Sequence, residues 1–341
     1  MQTAPQNQPS PSQAAARWAQ ASPALAALVY PLALVALYSV AQQARMATVL
    51  PLAALLGVTA LAMFLAIRLG RGDRPGPFQM RARIAAHLAF ASPPLFTLIG
   101  VLTYMGGWNN GDYWLWPLVW LALSAYVLLA PATGPSGAER LTPERLRSAH
   151  GFVAATVIVA FLGMHLANHL VGLWSAEAHI AVMKLLRKWY RHPVVETALV
   201  ALMLFMVGSG LVLLRARLTR PAGVFETLHT MTGTYLLLFI PGHMNSVFMF
   251  QRLFMGKDTD FWFAAGGPGG LLGDPWSVRL IPHYALGVWS LVTHAAGGLR
   301  IVLISHGAPV RLAHGITAAA STAGAIGAIA MVLGLCRVHL A

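Results

Sequence analysis

The stretch FLGMHLANHL, Phe161–Leu170, lies inside an apolar run long enough to cross a membrane, yet carries two histidines one helical turn apart. How that run is read sets the fold, and the composition reads it as a membrane span. The chain of 341 residues is 57% hydrophobic and 10% charged, with a mean hydropathy of +0.65. A soluble domain carries about a quarter charged residues. Runs of about twenty apolar residues follow one another, the mark of a polytopic helical membrane protein. Lipid is then the solvent, and each helix satisfies its own backbone. The expected fold is all-α, a polytopic transmembrane bundle of about nine spanning helices, near 23–44, 46–69, 82–105, 113–131, 149–173, 193–215, 226–250, 279–304 and 313–337.

Residues 1–22, rich in Gln, Pro, Ser and Ala, are expected as a disordered tail, and the apolar run after them as a retained helix rather than a cleaved signal. Four helices over 23–131 form an N-terminal membrane region, 132–148 a cytoplasmic linker, and 149–341 a five-helix membrane domain. The net charge of +13 sits in arginines of short loops, so it reads as topology signal and contact with anionic lipid; no nucleic-acid motif accompanies it. The arginines of RLGRGDRPGPFQMRAR, AERLTPERLR and RARLTR share one side with the N-terminus, which the positive-inside rule makes cytoplasmic, as in a bacterial inner membrane. Between the fifth and sixth spans, AHIAVMKLLRKWYRHP, 178–193, alternates apolar and basic positions as a helix lying on the membrane surface does. GGPGGLLG, within 258–276, has no strand before it and reads as an external loop. The single cysteine, Cys336, excludes a Cys-ligated cluster and covalent haem attachment.

Ionisable side chains in hydrocarbon are functional hypotheses by default. At about 1.5 Å per residue, His165 lies roughly 24 Å and His243 about 25 Å from the cytoplasmic side, on helices running the same way. Their surroundings match, FLGMHLAN against FIPGHMN, with Phe four residues before each histidine and Asn shortly after. Two level imidazoles can face each other across a flat ring and supply both axial ligands of a b-type haem. Gly163 and Gly242 give room for a ring, although, taken alone, ordinary close helix packing is the better explanation of them. His294, in HAAGGLR, lies in the inner third of its span, and Arg300 near the cytoplasmic edge can pair with a haem propionate or snorkel. None of the ten acidic residues falls at a helix centre, which argues against a cation-coupled transporter.

At these residues the C-terminal half, about 145–340, resembles the cytochrome b membrane anchor of succinate dehydrogenases and fumarate reductases. Thr232-Gly233 followed by nine residues and His243, HAAGGLR from His294 to Arg300, and His165 followed by an amphipathic segment carry the likeness. The resemblance implies an outer haem b held by His165 and His243 and an inner one ligated by His294. It also implies exchange of electrons with quinone, and soluble flavoprotein and iron–sulfur subunits that hold the catalytic site absent from this chain. The inner partner is implied near MVGSGL, where Val207, Gly208 and Ser209 stand and no histidine does. His294 then lacks a partner, uses His150 or His229, or lines a quinone site; Arg300, Trp289 and Trp174 are further quinone candidates. The contrasting reading is a transporter or structural membrane subunit whose histidines only crosslink helices.

Overall fold

The computed structural model describes residues 11–43, 48–131 and 143–340. Every regular element among them is helical. α1 (Pro11–Ala27) and α2 (Tyr30–Gln43) form a pair bent by 43°. Residues 11–22, expected within a disordered tail, are thus part of a helix; Ala21, Ala24 and Ala27 are fully buried, and that small apolar face holds the segment in place. α3 (Val49–Gly70) is apolar all round. α4 (Pro77–Phe90) and α5 (Ser92–Met105) meet at 69°. Pro93 and Pro94 supply no amide hydrogens to the ladder there, so the expected straight span 82–105 is broken. α6 (Gly111–Leu128) closes the N-terminal half.

The second half begins with one rod, Glu144–Val171, made of α7 (Glu144–Val157), a π-helical turn (Ile158–Leu162) and α8 (Gly163–Val171). Most of the expected linker 132–148 lies outside the described residues. α9 (Ala176–Tyr190) is the amphipathic segment, started by Ser175, whose hydroxyl accepts from the Ala178 amide at 3.0 Å. α10 (Pro193–Leu218) begins with proline at its first position. α11 (Val224–Met244) runs on into a second π-helical segment, Asn245–Phe254. In the loop that follows, the short α12 (Phe261–Ala265) is capped by Asp260. A 3-10 turn (Ser277–Arg279) leads into α13 (Leu280–Ser305), and α14 (Val310–Leu335) packs along it.

By length and composition, five helices are able to cross a membrane, or seven if each bent pair is one span. The expected count of nine is not reached. The two segments outside this set are α6, which carries Asp112, Pro117 and five Trp or Tyr residues, and α11, which carries Glu226, His229, His243 and four threonines. Polar groups at those positions lower the apolar content below that of α3 or α10, whose faces read as continuous hydrocarbon.

The two halves share one core. Buried alanines on α1 and α4, such as Ala82, Ala86 and Ala89, let backbones approach closely around Tyr30, Phe96, Trp116 and Trp120. Tyr235 of α11 joins this core, its ring 5.7 Å from Phe90, its hydroxyl donating to the His283 carbonyl at 2.9 Å. Arg83, itself buried, donates to the carbonyls of Leu69, Leu218 and Arg220, tying the ends of α3 and α10 to α4. The Ala222 amide adds a backbone bond to the Gly70 carbonyl at 2.8 Å. By contrast, the rod Glu144–Val171 and α10 each bury only 6% of their spanning residues, against 39% for α3. Most of their surface is therefore exposed to the surroundings, which for a membrane span is lipid.

Candidate functional site

The rod α7–α8 and helix α11 bring His165 and His243 side by side. The imidazole centroids of His165 and His243 are 6.1 Å apart, with their planes at 69°. Each is backed by the phenylalanine one turn earlier in sequence: Phe161 stacks on His165 at 4.9 Å, and Phe239 on His243 at 5.8 Å. The repeated Phe-to-His spacing thus has one packing role on both helices. Both histidines also adjoin π-helical backbone, since the turn Ile158–Leu162 ends just before His165 and the segment Asn245–Phe254 starts just after His243. Such segments recur at functional sites because they re-aim side chains on an otherwise regular helix.

His169 sits 4.7 Å from His165 and 5.2 Å from His179 of α9. Asn168 and His179, both buried, hydrogen-bond at 3.1 Å, which leaves Asn168 Oδ1 and His179 Nδ1 without protein partners. Burial pushes the His179 pKa down to about 4; Asp260 works against this and Arg187 adds to it. α9 is held over the site by Arg187 and Arg191, which both pair with Asp258 and also bond Thr259. Beside it, Arg252 pairs with Glu196 at 2.6 Å. His179 and this ionic clasp were not among the sequence candidates; the signal was a histidine on the apolar stripe of the amphipathic segment.

Nearer the start of α11, α11 and α13 cross through His229 and His294. Their ring centroids are 4.2 Å apart and perpendicular. His294 Nδ1 donates to the His229 carbonyl at 3.0 Å. A Cβ on Gly233 would come within 2.8 Å of the His294 ring, so the glycine of the Thr232-Gly233 pair is required for that ring to lie against α11. His150 Nδ1 bonds Ser209 Oγ of α10 at 2.7 Å. Arg300, expected to meet a propionate or snorkel, is instead paired with Glu226 at 2.9 Å, bonds His314 at 3.0 Å, and lies over the Phe225 ring at 5.1 Å. Trp289 is likewise engaged, donating to Ser321 at 3.1 Å, while Trp174 is exposed. The structure therefore brings His165 and His243 together and sets His294 and Arg300 apart from them.

The donor set discriminates among possible ligands. Among the described residues no group of three or more His, Cys, Asp or Glu side chains is arranged to hold a metal ion. A bare ion has no cage among the described residues, whereas haem iron takes imidazole ligands, which His165 and His243, with ring centroids 6.1 Å apart, would supply. No protein hydrogen bond occupies the ring nitrogens of either histidine among the described residues. A Cβ on Gly163 would meet only the Ile158 carbonyl of its own rod, so that position is open, whereas Gly242 is buried with Leu98 of α5 at contact distance, 3.8 Å from where its Cβ would stand. His229 and His294, at 4.2 Å, are too close for an ion between them. Compared with protein-family models, curated proteins and solved structures, the chain has no match.

Proposed function

We propose that this chain is an integral membrane cytochrome b that passes electrons between a partner dehydrogenase or reductase and the quinone pool. The observation that carries the reading is the pair His165–His243, presented by separate helices with ring centroids 6.1 Å apart and no protein hydrogen bonds on the ring nitrogens. When bound, haem b would supply one-electron transfer within the membrane. The protein's contribution is to hold two neutral imidazoles in fixed orientation. Phe161 and Phe239 fix their planes, and the bends of backbone at the two π-helical segments aim them. α9, clasped by Asp258, covers the outer approach. The likeness to the succinate dehydrogenase and fumarate reductase anchors supports quinone as the electron partner. It equally supports soluble flavin and iron–sulfur subunits on the cytoplasmic face of a bacterial inner membrane.

Replacement of single histidines tests the assignment. His165→Ala and His243→Ala are expected to remove the haem they share, whereas His169→Ala leaves it in place with a small spectral shift. Haem lost on changing His169 and retained on changing His165 would transfer the ligand role to the other member of the pair.

A further inference from the structure

We propose that the aromatic cleft between the π-helical segment Asn245–Phe254, α12 and the start of α13 binds a quaternary ammonium group, the choline end of a lipid or of a free solute. This goes beyond the electron-transfer reading and uses none of its histidines.

The cleft encloses about 260 Å³. Five rings line it: Phe250 from the π-helical segment, Trp262 and Phe263 from α12, Trp276 from the turn before α13, and Tyr284 from α13. The loop GGPGGLLG, which has no part in the histidine site, closes one wall with Gly266 and Gly267. Both sit at positive φ, 72° and 106°, and a Cβ on Gly266 would collide with Ser277 Oγ. Glycine is therefore what lets the loop lie against the entry to α13.

The walls are held before any ligand arrives. Trp262 packs edge-on against the buried Phe261 at 5.3 Å. Arg337 lies over the Trp262 ring at 4.9 Å, and Arg279 over the Trp276 ring at 4.7 Å. Two of the five rings thus already attract a cation, as the negative face of an aromatic ring does. The volume falls below the roughly 300–1,000 Å³ of sites for drug-sized ligands, so the occupant is a small group.

The lining selects the kind of cation. Its side-chain acceptors are three hydroxyls, on Ser246, Ser277 and Tyr284, and that of Ser277 is already committed to Asp274 at 2.7 Å. A primary ammonium brings three N–H donors, which the two remaining hydroxyls cannot all satisfy, and a buried donor without a partner is costly. A quaternary ammonium has no N–H and spreads its charge over methyl groups that pack on ring faces. The Asp274 carboxylate, fixed by the Ser277 amide at 2.8 Å, sets negative charge behind that wall. Trp276 also lines a second chamber, of about 220 Å³, with Tyr104, Asn109 and Asn110. Their hydroxyl and amide groups suit the oxygen-bearing remainder of a choline compound, and the Asp112 charge there is cancelled by Arg279. The site lies where the 29-residue span Ser277–Ser305 begins. At about 1.5 Å per residue that span matches a bilayer with its headgroup regions, so its end stands at headgroup level.

The test is ligand-observed NMR on the purified full chain in a maltoside detergent, with choline and with its uncharged tert-butyl isostere. Choline should bind about tenfold more tightly than the isostere. Phe263→Leu should weaken choline binding and leave the isostere unchanged; Ser246→Trp, which fills the cleft, should abolish both. Equal binding of choline and isostere, or no binding of choline, overturns the proposal without recourse to a variant. Choline binding unchanged in both variants puts the site elsewhere and overturns it too. Repeating the titration in bilayer discs identifies the source. Free choline excluded from discs of phosphatidylcholine, but not from discs of phosphatidylglycerol, makes the occupant a lipid headgroup; equal binding in both makes it a free solute. Haem content is read on the same samples, so this site and the haem assignment can each fail alone.

Discussion

The buried ion pair between Asp112 of α6 and Arg279, at the entry to α13, gives the most quantitative prediction. Both side chains are 3% exposed. The guanidinium lies 4.7 Å from both the Phe96 and Trp276 rings, and its Nε donates to the Trp276 carbonyl at 2.9 Å. Asp112→Asn keeps the shape and one acceptor but removes the countercharge. The arginine cannot reach water, so it keeps its charge without compensation. Removing one partner of a buried pair costs about 3–5 kcal/mol. Because the amide oxygen and both aromatic faces remain, the lower end applies: about 3 kcal/mol, roughly a hundredfold in the unfolding equilibrium. Equilibrium unfolding in mixed micelles, followed by tryptophan fluorescence, measures it. Adding Arg279→Met should recover most of the loss, since a buried pair replaced by apolar groups is often neutral. A loss below about 1 kcal/mol for Asp112→Asn, or a double variant worse than the single one, would refute the claim that this charge is sealed from solvent.

Two further perturbations probe the second half. Gly233→Val should push the His294 ring off α11 and cost about 1–3 kcal/mol by overpacking. Gly327→Val on α14, where a Cβ meets nothing, is the matched control, and equal losses at both positions would dissociate the effect from His294. The other concerns acid. His179 protonates near pH 4 when folded and near 6.5 when unfolded, so between these values the unfolded chain binds more protons. Stability of the α9 cover should therefore be full above about pH 6.5 and decline as the pH falls through this window toward 4. Amide exchange in α9 should quicken on acidification, and a His179→Asn variant that keeps the same pH slope would show that another group is responsible.

Much of this was legible in the chain. Depth counting placed His165 and His243 at one level, and the amphipathic 178–193 pattern marked α9. The single-span reading of 82–105 failed because an apolar run conceals a break that Pro93-Pro94 imposes. The nine-span count is not reached at α6 and α11, where Asp112, Trp116, Trp120, Thr232 and Tyr235 pack inward against neighbouring helices. The π-helical segments have no side-chain pattern of their own, since they shift a backbone hydrogen bond by one residue. Arg300 was expected to meet a cofactor because its partner Glu226 lies on a different helix, a pairing that sequence separation hides.

The central claim is that His165 and His243 hold haem, and the absorption spectrum of the chain purified from haem-replete cells tests it most directly. The account predicts a red protein with a Soret band that shifts on reduction, a b-type pyridine haemochrome, and loss of the outer haem in His165→Ala. A folded, colourless protein would contradict it.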